Sequence, residues 1–108
     1  GMRPVWICPL RTHSVWSTYP LEPDEVYVNV GFWGTVQVPE NATAGLVNQN
    51  IEREVHRIGG HKSLYSESFY TRQEFDRLYG TRELDSLRAT YDPNNRLTSL
   101  YEKTVRNQ

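Results

Sequence analysis

Cysteine is almost missing from this chain, since Cys8 is the only one among 108 residues. A single thiol excludes an internal disulfide and a metal site built from several thiolates, and it favours a reducing compartment. An excess of charge of one sign is missing as well, because 12 Lys and Arg residues face 13 Asp and Glu residues. Without a basic cluster, nucleic acid is not an expected partner.

Long hydrophobic runs are also lacking. No apolar stretch is long enough to cross a bilayer or to form the hydrophobic part of a signal peptide, so the chain is expected to be cytoplasmic. There is no Gly-rich phosphate-binding loop of the dinucleotide-binding kind. His13 and His56 have no carboxylate or thiol at ligand spacing, and no metal site is expected.

Aromatic residues are what the chain has in quantity, at 12% of a composition in which apolar residues reach only 37%. A chain of this length is expected to form one domain, residues 1–108. Its core must rely on large rings, many of which carry a polar group.

Three segments have the pattern of β-strands. Val5–Leu10 is β-branched and aromatic, and its Pro9 favours an edge strand. Val26–Trp33 alternates between an apolar face and a mixed face. The third prediction is a strand over His61–Phe69. The apolar face of the second strand consists of Val26, Val28, Val30 and Phe32, and the mixed face of Tyr27, Asn29, Gly31 and Trp33.

Helices are predicted between and after these strands. Apolar residues at helical spacing predict a helix within 43–58, ended by Gly59 and Gly60. Thr71 followed by Glu74 predicts a reciprocally capped second helix. Two further helices are expected, one capped by Thr81 and a short one at the end of the chain. The apolar stripe of the first helix would be Val47, Ile51, Val55 and Ile58.

The predicted fold class is α+β, with a small, mostly antiparallel sheet, helices packed on one of its faces and a helical C-terminal end. The other sheet face would be too aromatic for ordinary solvent surface and too polar for a sealed core. A face of this kind contacts a ligand, another domain or a second copy of the chain. Its side chains would be those of Tyr27, Asn29, Trp33, Tyr65 and Glu67.

Two blocks carry a resemblance to a known family. The first is Leu64-Tyr65-Ser66-Glu67 followed by Arg72, Glu74 and Phe75, and the second is Tyr91–Leu97 followed by Leu100–Lys103. They resemble the C-terminal end of FAD-linked oxidoreductases of the vanillyl-alcohol-oxidase type, most closely the delta-24-sterol-reductase-like branch. The resemblance covers nearly the whole chain and includes Pro4–Pro9 and Val26–Gly31.

In that family an N-terminal domain binds FAD, and the C-terminal portion forms a cap that faces the isoalloxazine ring and shapes the substrate pocket. The resemblance implies that this chain is the end of such a cap. Its partners would be the FAD-binding domain of the same parent protein and a bulky small-molecule substrate. The chain alone is then expected to be inactive and to bind no FAD tightly, because the parent's other domain holds most of the cofactor.

The resemblance makes Tyr65 and Glu67 the candidate catalytic residues. A phenol near a flavin can hydrogen-bond a substrate oxygen, and a strand carboxylate can act as a base or an acceptor. The competing interpretations are a Tyr packed in the sheet and a Glu that faces water or pairs with Arg. Substrate-facing or flavin-facing roles are assigned to Tyr27, Asn29, Trp33, His61 and Lys62.

A second function class stays open from the residues alone. The chain could be a free-standing α+β module that binds a ligand or dimerises through its mixed sheet face, with Tyr27 and Trp33 as the contact patch. The His61-Lys62 pair resembles a segment of the aldonolactone oxidases in which a Lys reaches the flavin, although the spacing differs.

Overall fold

The structure is a computed structural model that describes residues 3–16, 21–80 and 82–106. The chain divides into two compact units, residues 1–42 and residues 43–108. The first unit contains a β-hairpin and the second contains helices. The α+β class with a small antiparallel sheet and a helical C-terminal end is therefore confirmed. A single domain with helices on one sheet face stays a prediction.

The hairpin consists of β1 (Val5–Arg11) and β2 (Val26–Phe32), paired antiparallel from Val5 opposite Phe32 to Arg11 opposite Val26. Both predicted strands are confirmed. Since side chains alternate along a strand, one face of the hairpin is almost entirely apolar. That face consists of Val5, Ile7, Pro9, Arg11, Val26, Val28, Val30 and Phe32, and all of them are exposed. The apolar alternation therefore marks a face that is open to solvent.

The described residues of the second unit form four helices: α1 (Leu46–Arg57), α2 (Arg72–Tyr79), α3 (Arg82–Tyr91) and α4 (Leu100–Thr104). Among the described residues, no helix has both the length and the apolar character needed to cross a membrane.

Local signals at the ends of α1 and α2 act as predicted. The N–H of Gly59 donates to the His56 carbonyl at 3.0 Å and that of Gly60 to the Val55 carbonyl at 2.8 Å, which closes α1 with a Schellman motif. Thr71 and Glu74 form the predicted reciprocal cap of α2. The predicted cap Thr81 lies outside the described residues.

The start of α1 depends on a close approach. Gly45 occupies the N-cap position with φ at 76°, and the helix begins at Leu46, within the predicted range 43–58. A Cβ on Gly45 would collide with the ring of Phe69. The glycine therefore allows the segment before α2 to lie directly on the beginning of α1.

The core of the second unit is a cluster of rings. Tyr70, Phe75 and Tyr79 are buried, and the ring centroids of Phe75 and Tyr79 are 4.9 Å apart. The Tyr101 ring meets Phe75 edge-on at 5.2 Å. The predicted aromatic core is thus present here, and its rings come from α2, from α4 and from Tyr70 in the segment before α2. Its partly buried neighbours are Leu64, Leu78, Tyr101 and Val105.

The strand predicted over His61–Phe69 is wrong. The segment has no regular secondary structure and turns at Leu64–Ser66. No neighbouring strand pairs with its backbone groups among the described residues. Side chains and a carbonyl from a distant part of the chain form hydrogen bonds with them. The N–H of Ser68 donates to the Thr104 carbonyl at 3.2 Å, and the Lys62 carbonyl accepts from the Tyr79 hydroxyl at 2.6 Å. Backbone groups withdrawn from water need partners, and here the helices provide them.

The buried side of α1 also differs from the expectation. Its one buried residue is Glu52, whereas Ile58 of the predicted apolar stripe is 72% exposed. Glu52 and His56 lie one turn apart and face the 61–70 segment. The N–H of Phe69 donates to Glu52, and the Tyr70 hydroxyl forms a hydrogen bond with His56. The helix is oriented by these polar contacts, and its apolar stripe borders an open groove instead.

Candidate functional site

A buried ion pair lies at the centre of the second unit. The Lys62 ammonium is 2.6 Å from the Glu52 carboxylate, and Glu52 is only 3% exposed. The N–H of Phe69 donates to both carboxylate oxygens, at 3.1 and 3.3 Å. Removing two charges from water is costly, and it is offset only when further hydrogen bonds satisfy them. Phe69 supplies part of that compensation.

The Lys62 ammonium has three N–H donors, and all three have acceptors within the chain. Besides Glu52, it donates to the Glu67 carbonyl at 2.6 Å and to the Ser68 hydroxyl at 3.3 Å. A lysine has no further donor to offer. In this structure Lys62 therefore holds the chain together, and its flavin-facing role stays a prediction.

These bonds hold an exposed loop, residues 63–67, from both sides. Lys62 immediately precedes the loop, and its ammonium binds the carbonyl of Glu67, the last loop residue. Phe69, two residues beyond, is bound to Glu52. At the loop's tip, Tyr65 is 88% exposed, and Glu67 is exposed as well. The loop thus presents a phenol and a carboxylate outward from a buried, charged anchor.

A second polar network continues from the anchor into the core. The Tyr79 hydroxyl, which binds the Lys62 carbonyl, lies 3.4 Å from the Tyr70 hydroxyl. The Tyr70 hydroxyl is in turn 3.0 Å from Nε2 of His56. Burial and the neighbouring Tyr79 hydroxyl raise the pKa of Tyr70 well above that of a free phenol. Tyr70 therefore remains a protonated donor within the core.

His61 lies beside this network. Its ring packs against that of Tyr79 in a tilted arrangement, with centroids 4.6 Å apart. Burial, followed by the charge of His56, lowers the pKa of His61 below 6.5. Both effects disfavour the protonated ring. A neutral imidazole next to the loop suits a supporting residue, while its assignment to a flavin-facing role stays a prediction.

Three predicted site residues belong to the hairpin unit. Tyr27 and Asn29 occupy the face opposite the valines, as predicted, and Asn29 lies across from Cys8. The Tyr27 hydroxyl accepts the N–H of Glu22 at 2.9 Å, which ties the loop before β2 to the strand. Trp33 follows the strand and packs its ring near Gly31. The predicted sheet face that joins these residues with Tyr65 and Glu67 is wrong, because the latter two are not on a strand.

Glu52, the residue most central to this site, was not predicted from the sequence. Its position between Ile51 and Arg53 looks like the polar flank of an amphipathic helix. The sequence does contain a weak indication that this side of α1 is polar and packed. Glu52 and His56 are four residues apart, so both titratable side chains lie on one helix face beside the apolar stripe.

The turn after α3 is built by one carboxylate. Asp92 accepts the N–H of Arg96 at 2.7 Å and that of Leu97 at 3.0 Å. The Arg88 guanidinium approaches Asp92 at 3.5 Å and donates to the Leu97 carbonyl at 2.6 Å. These donors lower the pKa of Asp92. The Asp92–Asn95 turn predicted from the sequence is confirmed, and its physical role is to direct the chain from α3 towards α4.

In the described parts of the chain, no group of three or more His, Cys, Asp or Glu side chains is placed to hold a metal ion. Comparison with known protein families, with curated proteins and with solved structures found no match.

Proposed function

We propose that this chain is the C-terminal part of the cap, or substrate domain, of an FAD-dependent oxidoreductase of the vanillyl-alcohol-oxidase type. The parent protein would pass a hydride between a bulky apolar substrate and the flavin, which its other domain holds. The observation that supports the proposal is the 63–67 loop. In this loop Tyr65 and Glu67, the two residues that the resemblance assigns to the reaction, are exposed. The ends of the loop are held in place by the hydrogen bond from the Lys62 ammonium to the Glu67 carbonyl.

The geometry suits a surface that completes a site on another domain. A group that acts on a bound substrate must be positioned before the substrate arrives, and a loop fixed at both ends provides such positioning. Tyr65 would donate a hydrogen bond to a substrate oxygen, and Glu67 would accept one. The flavin supplies the redox chemistry, and the cap supplies orientation and the exclusion of water.

The test uses the parent polypeptide and a matched pair of tyrosines. Purified parent protein is expected to carry the visible absorption spectrum of bound flavin. Tyr65→Phe is expected to slow flavin reduction by substrate about tenfold, the size of effect expected when one hydrogen bond to the substrate is lost. Tyr91→Phe is the control, because Tyr91 is 80% exposed on α3 and outside the proposed site.

A parent protein without flavin would overturn the proposal. Equal reduction rates for Tyr65→Phe and Tyr91→Phe, with flavin bound in both, would remove Tyr65 from the mechanism while leaving the cap assignment in place. FAD added to the present chain alone is expected to remain unbound, and tight stoichiometric binding would contradict the division of roles.

The alternative function, a free-standing module that binds a ligand or a second copy, has one observation of its own. The apolar face of the hairpin is exposed along both strands. Contiguous exposed apolar surface marks an interaction site on soluble proteins.

A further inference from the structure

The two edges of the hairpin differ in their capacity to accept another strand. The N–H of Trp33 donates to the Pro4 carbonyl at 3.3 Å, in the same register as the rest of the hairpin. Hydrogen-bonded and non-hydrogen-bonded pairs alternate in an antiparallel ladder. Pro9 and Val28, which lie opposite each other, are therefore a non-hydrogen-bonded pair whose backbone groups point away from the hairpin.

Pro9 blunts the outer edge of β1, because it has no N–H to offer a neighbouring strand. The outer edge of β2 has no such protection. Its outward-pointing backbone groups belong to Val26, Val28, Val30 and Phe32, all of which have an N–H. No charged residue or proline occurs in β2. Proteins usually protect an exposed edge by one of these devices, and within the described residues the sheet consists of these two strands alone.

We propose that the outer edge of β2 pairs with the same edge of a second copy of the chain. An antiparallel pairing centred on Asn29 places Val26 opposite the partner's Phe32 and Val28 opposite the partner's Val30. The outward-pointing groups on both strands then meet as hydrogen-bonded pairs. The contact is self-complementary, as a two-fold symmetric interface requires.

The pairing also extends the apolar face. A two-fold axis perpendicular to the sheet keeps the valines of both copies on the same side, so the two hairpins form one four-stranded sheet. An isolated two-stranded hairpin is only marginally stable, whereas a larger sheet with an apolar face gains stability from cross-strand contacts. The absence of charge from β2 removes repulsion at the junction.

The surface that the two strands bury in the dimer is small, and this limits the affinity of one copy for the other. Seven paired residues span about 23 Å of strand, and an edge-to-edge contact of that length buries far less than the roughly 1,200 Å² of a stable interface. The dimer is therefore weak, and it should form only as the protein concentration approaches about 1 mM.

Cross-linking at the two-fold axis tests the register. Asn29 would face the partner's Asn29 as a non-hydrogen-bonded pair with a Cα separation of about 4.5 Å, within disulfide reach. Asn29→Cys combined with Cys8→Ser, oxidised at high concentration, is expected to give a covalent dimer. The unmodified chain is the control, because two copies of Cys8 would be separated by three strand spacings, about 14 Å, and cannot be bridged.

Sedimentation of proline and threonine variants tests whether the outer edge of β2 forms the dimer contact. Val28→Pro removes the outward N–H at the position where β1 already has a proline, so the hairpin should survive and the concentration-dependent dimer should disappear. Val28→Thr keeps the N–H and should retain the dimer. A chain that sediments as a monomer at about 1 mM, or a dimer equally abundant in Val28→Pro, would overturn the proposal. A strand from a different polypeptide would then be left as the edge's occupant. None of these results depends on flavin, so they leave the proposed cap function untouched.

Discussion

The hairpin and the helical unit use opposite ways of holding a chain together. In the hairpin the backbone is regular, with seven residue pairs in register, yet its largest apolar side chains remain open to solvent, Ile7 at 69%. In the helical unit the 61–69 segment is irregular, yet its backbone groups are bound by buried side chains. Among the described residues, regular strand pairing therefore forms without a buried core, and the buried core forms around a segment without regular pairing.

The difference follows from what each backbone requires. A hairpin satisfies half of its backbone groups internally and leaves the rest to water at the edges, so it can form without a core. An irregular segment has no ladder, and each of its withdrawn groups needs a specific partner. The helical unit therefore depends on a few polar side chains, and above all on Glu52.

The largest effect should come from removing that carboxylate. Glu52→Ala leaves the Lys62 ammonium without its counter-charge and the Phe69 N–H without its acceptor. The free energy of unfolding should fall by about 3 kcal/mol, as expected when one partner of a buried pair is lost. Urea denaturation followed by the signal of the helices measures it.

Glu54→Ala is the matched control, since Glu54 lies on the same helix and pairs with Arg57 in the open. Its removal should change the free energy of unfolding by less than about 0.5 kcal/mol, because exposed ion pairs contribute little. Equal losses in the two variants would show that the Glu52–Lys62 pair does not hold the segment.

Features set by near neighbours in the sequence were predictable. The cap of α2 depends on Thr71 and Glu74, three residues apart, and the stop of α1 depends on adjacent glycines. The two strands of the hairpin were also found, because alternation is a local pattern. These features need no knowledge of the distant chain.

Features set by distant neighbours were not predictable. The 61–69 segment has the composition of a strand, but a strand exists only where another backbone pairs with it. Here Glu52, ten residues before Lys62, provides the competing contact. The burial of Glu52 itself cannot be read from α1, because its apolar stripe points to a different face. Tyr65 and Glu67 are exposed on a loop and not on the predicted strand, and their role in the reaction stays a prediction.

A smaller effect is expected from pH, through His61 of the helical unit. The pKa of His61 is lowered in the folded chain, chiefly by burial. Between its folded pKa and the unfolded value near 6.5, the unfolded chain binds a proton that the folded chain does not. The free energy of unfolding should therefore fall as the pH drops below about 6.5.

His61→Gln should remove this part of the pH dependence. Glu74 and Glu102 do not interfere, because hydrogen bonds from their caps lower their pKa values, and their contributions are lost only below about 4.5. Denaturation curves recorded between about pH 7 and 5.5 give the comparison. An unchanged slope in His61→Gln would assign the effect to another group.

The smallest effect should come from the hairpin's apolar face. Ile7→Thr replaces an apolar side chain that is 69% exposed with a β-branched polar one, so strand propensity is kept and little buried area is lost. At a protein concentration low enough to keep the chain monomeric, the free energy of hairpin opening should change by less than about 0.5 kcal/mol. Exchange of the inward-pointing β2 amide hydrogens, those of Tyr27, Asn29 and Gly31, measures that opening directly. A loss above about 1 kcal/mol would mean that the face is covered in the folded chain, and the contrast between an open hairpin and a buried helical core would no longer hold.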